Sequence, residues 1–437
     1  MTNRRPAARR ASRLPPWLTR PVVAWAIYDV ASSTYVALVP TFFGVVFLAA
    51  HVGDPATAQA RWGGIAAVSL LVAGLLAPVV GAWSDRRGRW FGPVAAATTL
   101  CIAATLAMPG VAGQALALAA LFFVAQVSQT LAGAVYDSLL VRVTSSRHVG
   151  RVSGFGWACG FVGGIASLAA ALVLMRGTPE DAQAALLPYA FLVAGLLYAL
   201  FAVPGLTGLR GLVPALSSNA AASASLADAL RAVATTLRRW REQREPFRFL
   251  LAYYLFNDVL VTLVFFIAIV LRARFGLTVE GLLWLALLYH VVALPATLAF
   301  GLVADHWGQR RTIYLQVAIL GTAIALLALG SGAGVPVAVI VLLGLVYGSL
   351  QAVCRSTLAL LVDEHRSAEI FGFNAMAGRV SAAIGPILFG AVAAITGSQP
   401  FALLSLLPFL LAGAWVLRSV RIPEAKAAGG TPAREPG

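Results

Sequence analysis

Twelve runs of apolar residues, each long enough to cross a hydrocarbon core, divide this chain and leave it little choice of fold. A bilayer core about 30 Å thick takes roughly 20 helical residues to cross. Broken by Gly, Pro or charge, the runs fall at about 21–50, 62–84, 93–109, 114–141, 150–175, 184–209, 247–271, 281–303, 312–330, 335–362, 369–396 and 399–420. Backbone polar groups in lipid must be satisfied within the segment, so each run is predicted to be a helix. Only 11% of the residues are charged, against roughly 25% in soluble domains. The expected fold is an all-α integral membrane protein with twelve transmembrane helices.

The placement of charge predicts orientation. The net charge of +15 would suit a nucleic-acid partner only if the basic residues clustered on a soluble face. Here they sit between apolar runs, and no nucleic-acid partner is expected. They crowd the N-terminal tail (Arg4, Arg5, Arg9, Arg10, Arg13), the turns Arg86 to Arg89, Arg142 to Arg151 and Arg310 to Arg311, the loop from Arg210 to Arg248, and the C-terminal tail. The opposite connections hold only Arg61, Arg176, Arg272 and Arg274. The positive-inside rule therefore puts both termini and the middle loop in the cytosol, with the plasma (inner) membrane of a bacterium as the expected location. The first run exceeds a signal-peptide core of about 7 to 15 residues and lacks a cleavage site, so it is expected to remain. Cys101, Cys159 and Cys354 lie in apolar segments at spacings that suit neither a disulfide framework nor a metal site.

The expected organisation is a basic cytosolic tail (1–20), a six-helix bundle (21–209), a cytosolic loop (210–246), a second six-helix bundle (247–421) and a disordered tail (422–437). Within the loop, Leu226, Leu230, Val233, Leu237 and Trp240 recur at helical spacing with Arg231, Arg238, Arg239 and Arg241 between them. Such a basic amphipathic helix would lie on the anionic leaflet or pack on the protein; the pattern fits both.

The two halves echo each other. Gly81-Ala82-Trp83-Ser84-Asp85-Arg86-Arg87-Gly88-Arg89 ends the second run, and Gly301-Leu302-Val303-Ala304-Asp305-His306-Trp307-Gly308-Gln309-Arg310 ends the eighth. Tyr136-Asp137 in the fourth corresponds to Cys354-Arg355 in the tenth, Gly154-Phe155-Gly156 to Gly372-Phe373-Asn374, and Tyr28-Asp29 in the first to Asn257-Asp258 in the seventh. A six-plus-six duplication follows, which puts a substrate site near the midplane between halves. The turn residues Asp85 and Asp305 are placed to meet the positive N-terminal ends of helices eleven and five, near Phe371 and Ser153. Gly81, Asp85, Arg86, Gly88 and Arg89, with Gly301, Asp305, Gly308 and Arg310, are thus candidate gating residues.

These motifs resemble the major facilitator superfamily (MFS), whose helix 2–3 turn reads G-x-x-x-D-R/K-x-G-R/K, as Gly81, Asp85, Arg86, Gly88 and Arg89 do. Within it the chain resembles the UMF1 group, which includes fungal vacuolar amino-acid effluxers of the Atg22 type and whose first helix reads W-x-x-Y-D-x-A-N-S-x-Y. Trp25, Tyr28, Asp29, Ala31, Ser33 and Tyr35 match. So do Asn257-Asp258, Arg151-Val152-Ser153-Gly154, Phe371-Gly372 and Gly378-Arg379. Ser32, Val259 and the Tyr136-Asp137 pair depart from the group's usual residues. The helix-four Arg of drug:proton antiporters is absent between Gln114 and Val141. The resemblance implies a secondary transporter of an amino-acid-like solute.

Asp29 is the residue that most requires an explanation. An acid in mid-membrane costs about 2.5–3.5 kcal/mol on insertion scales, so it either faces a polar cavity or pairs with a cation. Asp137 and Asp258 are further acids, Arg355 and Arg379 the cations, and Tyr28, Ser33, Tyr136 and Asn257 their polar neighbours. A cavity of both signs suits a zwitterion, because an Arg holds a carboxylate bidentately and an Asp accepts an ammonium. Asp29 or Asp258 is a candidate to load a coupling proton, while Asp137 and Arg355 are equally suited to neutralising each other across the bundle interface. His290 is expected to be a packing residue. Glycines Gly154 to Gly164 follow no strand and read as helix-contact residues rather than a dinucleotide loop. No nucleophile-base pair, metal cluster or phosphate loop is found, so the chain is expected to be no enzyme and to need no cofactor. The expected partners are a small-molecule substrate, protons and membrane lipids, with the chain a monomer. Efflux of drugs or other metabolites, and a non-transporting receptor or scaffold, remain as alternatives.

Overall fold

The computed structural model describes residues 15–50, 55–178, 180–210, 225–381 and 384–423. Most of both tails and residues 211–224 of the middle loop lie outside them. Among the described residues, 12 helices are long and apolar enough to cross a membrane. Spans one to six are Arg20–Leu48, Arg61–Arg87, Phe91–Val111, Ala115–Val143, Val149–Met175 and Ala185–Leu209. Spans seven to twelve are Arg244–Phe275, Trp284–Trp307, Gln309–Leu329, Gly334–Leu361, Glu364–Thr396 and Gln399–Arg418. Span eight runs to Trp307, beyond the expected 303, and span nine begins at Gln309 rather than 312. The helix stops where Gly308 takes φ 96°, as span two stops near Gly88 at φ 57°. These turns are set by a left-handed backbone that glycine adopts without a Cβ penalty, whereas apolarity ends a turn earlier, at the charged residues.

Span one packs on spans five and six, span three on four, span eight on ten, and span seven on twelve, so each half carries its own contacts. The halves meet where span two crosses eleven and span five crosses eight. Both crossings lie at the end that carries the basic turns, and both need glycine. A Cβ on Gly81 would sit 2.0 Å from the Ala368 carbonyl oxygen, and one on Gly301 would sit 2.6 Å from that of Gly150. The repeated motif begins with glycine because backbone passes against backbone at that point.

The amphipathic stretch of the middle loop forms a helix, Leu226–Arg238. Ser225 caps it, accepting from the Asp228 amide at 3.2 Å while the Asp228 carboxylate accepts from the Ser225 amide at 2.9 Å; the two orphan donors are satisfied reciprocally. One face, with Ala229 buried, packs on Val79 and Ala82 of span two. Buried Thr236 donates to the Glu369 carboxylate at the start of span eleven. The helix is therefore packed on the protein, as one of the two sequence readings holds. Leu226, Leu230, Leu237 and Trp240 face outward and are exposed.

Candidate functional site

Span one carries Asp29 nine residues in from Arg20, so about 14 Å along the helix axis and near the middle of a core about 30 Å thick. It does not stand alone there. One guanidinium nitrogen of Arg355, on span ten, lies 3.2 Å from Asp29 Oδ2 and 3.0 Å from Asp137 Oδ1. The other guanidinium nitrogens donate to Ser153 Oγ at 3.0 Å and the Ser153 carbonyl at 2.9 Å. Asp29 thus both faces a cavity and is paired, where the sequence offered these as alternatives. The Arg355 side chain is only 8% exposed, while those of Asp29 and Asp137 are 15% and 30% exposed. With four acceptors in place, Arg355 is spoken for, so it is not the open carboxylate-binding Arg the sequence suggested. Two carboxylates on one guanidinium leave one formal negative charge in excess.

The surroundings fix this arrangement. Trp25 lies 4.5 Å from the Arg355 guanidinium carbon, measured at the ring centroid, and stacks on Tyr136 at 5.0 Å. Trp25 and Tyr136 also exchange hydrogen bonds, each ring group donating to the other residue's carbonyl, at 3.3 and 2.7 Å. A Cβ at Gly156 would lie 2.5 Å from the Trp25 ring and 2.6 Å from Asp29 Oδ2. Span five therefore needs glycine there for the ion triad to close.

A cavity of about 550 Å³ opens beside the triad. Ser33, Tyr136, Trp157, His290 and Gln351 line it together with the triad itself. It extends from the middle of the spans away from the basic turns, because its span-five residues run from Trp157 to Leu168. His290 bonds its own helix, Nδ1 lying 2.8 Å from the Ala286 carbonyl oxygen, and it also borders this cavity. The Trp157 indole N–H has no partner among the described residues.

Four expected site residues lie elsewhere. Tyr28 is fully buried within the first bundle, its hydroxyl 2.6 Å from Thr98 Oγ1. Asp258 does not join Asp29 at the cavity: it is 3% exposed and accepts from the Gly385 amide at 3.0 Å. Repeat symmetry matches the helices, but the second half has put this acid to work binding a backbone amide of the helix Ile384–Thr396. Asn257 accepts from Gln351 Nε2 at 3.2 Å. Arg379 reaches span four, donating to Thr130 Oγ1 at 3.2 Å.

At the end carrying the basic turns, the motif acids bind helix N-termini across the halves. Asp85 accepts from the Glu369 amide at 2.8 Å and from the Trp90 indole at 2.9 Å. Asp305 accepts from the Gly150 and Arg151 amides at 2.7 and 3.1 Å, and from Arg151 Nε at 2.7 Å. Arg142 stacks 3.7 Å from the Trp90 ring and donates to Ser367 Oγ at 3.1 Å. Trp90 and Arg142 escaped the sequence reading because neither belongs to the repeated motif. Arg86 and Arg89 point to solvent, and Arg310 donates to the Val420 carbonyl. These contacts join the two halves at this end.

The Atg22-like vacuole effluxer family model matches residues 141–430. The chain belongs to this family. The Atg22-like chain is 25% identical over 415 residues to the uncharacterized MFS-type transporter YxiO of Bacillus subtilis (strain 168), covering 91% of this chain and 94% of that one. Its fold matches the human organic anion transporter MFSD10 (TM-score 0.71, 16% identity, 92% and 100% of the two chains). It also matches the E. coli fucose:proton symporter FucP (TM-score 0.72, 12% identity, 93% and 99%). This Atg22-like protein is a multi-pass MFS transporter with the twelve-span fold.

Proposed function

We propose that this chain exports an amino-acid-like zwitterion from a bacterial cytosol in exchange for protons, by alternating access. The observation that carries the reading is the triad of Asp29, Arg355 and Asp137 beside a mid-membrane cavity. Its one surplus negative charge is costly in a low-dielectric region, and either a proton or a substrate ammonium offsets it. Competition between the two for one site is what couples them. The family's description as effluxers supports the direction. Purified protein in proteoliposomes, screened with radiolabelled amino acids and short peptides under an imposed pH gradient, tests the proposal. Gradient-dependent flux of a zwitterion is expected, and its absence across the screen would refute the reading.

The gates supply the alternation. Asp85 and Asp305 hold the basic end shut through hydrogen bonds to helix N-termini, each charge-assisted bond contributing about 1.5–3 kcal/mol. Asp85→Asn removes the charge and keeps one acceptor. A shift of about tenfold toward the state open at this end, about 1.4 kcal/mol, is expected, with substrate affinity retained. Ser32→Cys labelling from the basic side measures it; an unchanged rate would count against the gate.

The basic end faces the cytosol in this proposal. In a background lacking Cys101, Cys159 and Cys354, Ser225→Cys before the loop helix is expected to react with an impermeant maleimide only after the cells are permeabilised. Labelling in intact cells would reverse the orientation.

A further inference from the structure

A second cavity, about 330 Å³, adjoins the first, and Val36 of span one borders both. Its lining includes Tyr35, Gln126, Gln129 and Arg379. Arg379 is exposed, and among the described residues no carboxylate lies within 4.0 Å of it. Its hydrogen-bond partner among the described residues is the neutral Thr130 hydroxyl. The first cavity ends at a surplus negative charge, and the second holds a cation with no paired carboxylate among the described residues.

Span four measures the gap between them. Thr130, which meets Arg379, and Asp137, which meets Arg355, are seven residues apart on one helix, two turns or about 10 Å along the axis. Gly133 lies between them on the same face. It borders the first cavity, and a Cβ built there meets nothing within 4 Å. A solute can lie along this stripe with an opposite charge at each end. An α-amino acid cannot reach both ends, because its ammonium and carboxylate share one carbon.

Resting on the zwitterion-carrier reading above, we propose that the substrate is an extended zwitterion with its charges about 10 Å apart, the ammonium at Asp29 and Asp137 and the carboxylate at Arg379. An extended chain spans about 3.3–3.6 Å per residue, so three residues bring the termini of a peptide to about this separation. The class is therefore a short peptide with both termini free. The carboxylate end is read by Arg379, whose planar fork suits it.

Binding of alanine, dialanine, trialanine and trialanine amide to the purified protein, followed by tryptophan fluorescence, tests this, with alanine and trialanine also assayed for flux in proteoliposomes. Trialanine is expected to bind at least tenfold more tightly than alanine, and amidation is expected to remove that gain. In Arg379→Gln, trialanine is expected to fall to the affinity of its amide while the amide binds as it does to wild type. That unchanged amide binding also shows the variant to be folded. Arg379→Lys is expected to keep part of the gain. Should alanine bind and move as well as trialanine, the spacing argument fails while the zwitterion carrier survives; should neither bind nor move, both fail.

Discussion

Arg355→Gln is expected to destabilise the protein by about 3–5 kcal/mol, the range for removing one partner of a buried ion pair. The guanidinium is the single cation between Asp29 and Asp137, at 3.2 and 3.0 Å. Without it, two carboxylates confront each other in mid-membrane with Trp25 and Tyr136 packed around them. Gln supplies hydrogen-bond donors for Ser153 but no charge. The thermal midpoint in detergent should therefore fall by several degrees, with poor recovery of folded material. Adding Asp29→Asn and Asp137→Asn to Arg355→Gln removes the uncompensated charges and is expected to restore most of the midpoint, though not transport. If Arg355→Gln alone were as stable as wild type, the ion triad would not be holding spans one, four and ten together.

The fold was legible because membrane physics narrows the options. Twelve apolar runs have to be helices, and glycine and charge mark their ends. The repeated motif also disclosed its own contacts: an acid just before a turn, in both halves, meets a helix N-terminus in both halves. The site was harder to read. Sequence symmetry paired Asp29 with Asp258, yet Asp258 binds the Gly385 amide and stays out of the cavity. Repeats preserve helix position, whereas one or two substitutions decide what a polar side chain meets. Gly156 in span five leaves room for Asp29 and Arg355, while Asn374, at the matching place in span eleven, accepts from the Tyr254 hydroxyl at 3.0 Å. The role of Arg355 was similarly hidden, because matching Asp137 with Arg355 gave a pair and not the three-membered arrangement completed by span one. Trp157 had no motif to announce it, and Ser153, though part of the Arg151-Val152-Ser153-Gly154 match, shows its bonds to Arg355 only once spans five and ten are packed.

Asp29→Asn separates stability from transport. The substitution keeps the side chain's volume and leaves Arg355 an amide oxygen at Asp29's place, while the Asp137 pair at 3.0 Å remains. The triad then carries no net charge, and a neutral pair is less costly in mid-membrane than one with a surplus charge. The variant should therefore insert, fold and unfold thermally as wild type does. On the proposed mechanism it loses the negative charge that draws a proton or a substrate ammonium to the cavity, and Asn can replace it in neither task. Uphill accumulation driven by a pH gradient is expected to fall at least tenfold, with whatever flux remains indifferent to the gradient. Asp258→Asn provides the contrast: its carboxylate accepts from the Gly385 amide, so its effect should appear in stability and leave the pH dependence of transport unchanged. Proteoliposomes holding each purified variant, with inside and outside pH set independently, make the comparison. Gradient-driven uptake at the wild-type rate by Asp29→Asn would place proton coupling elsewhere in the molecule.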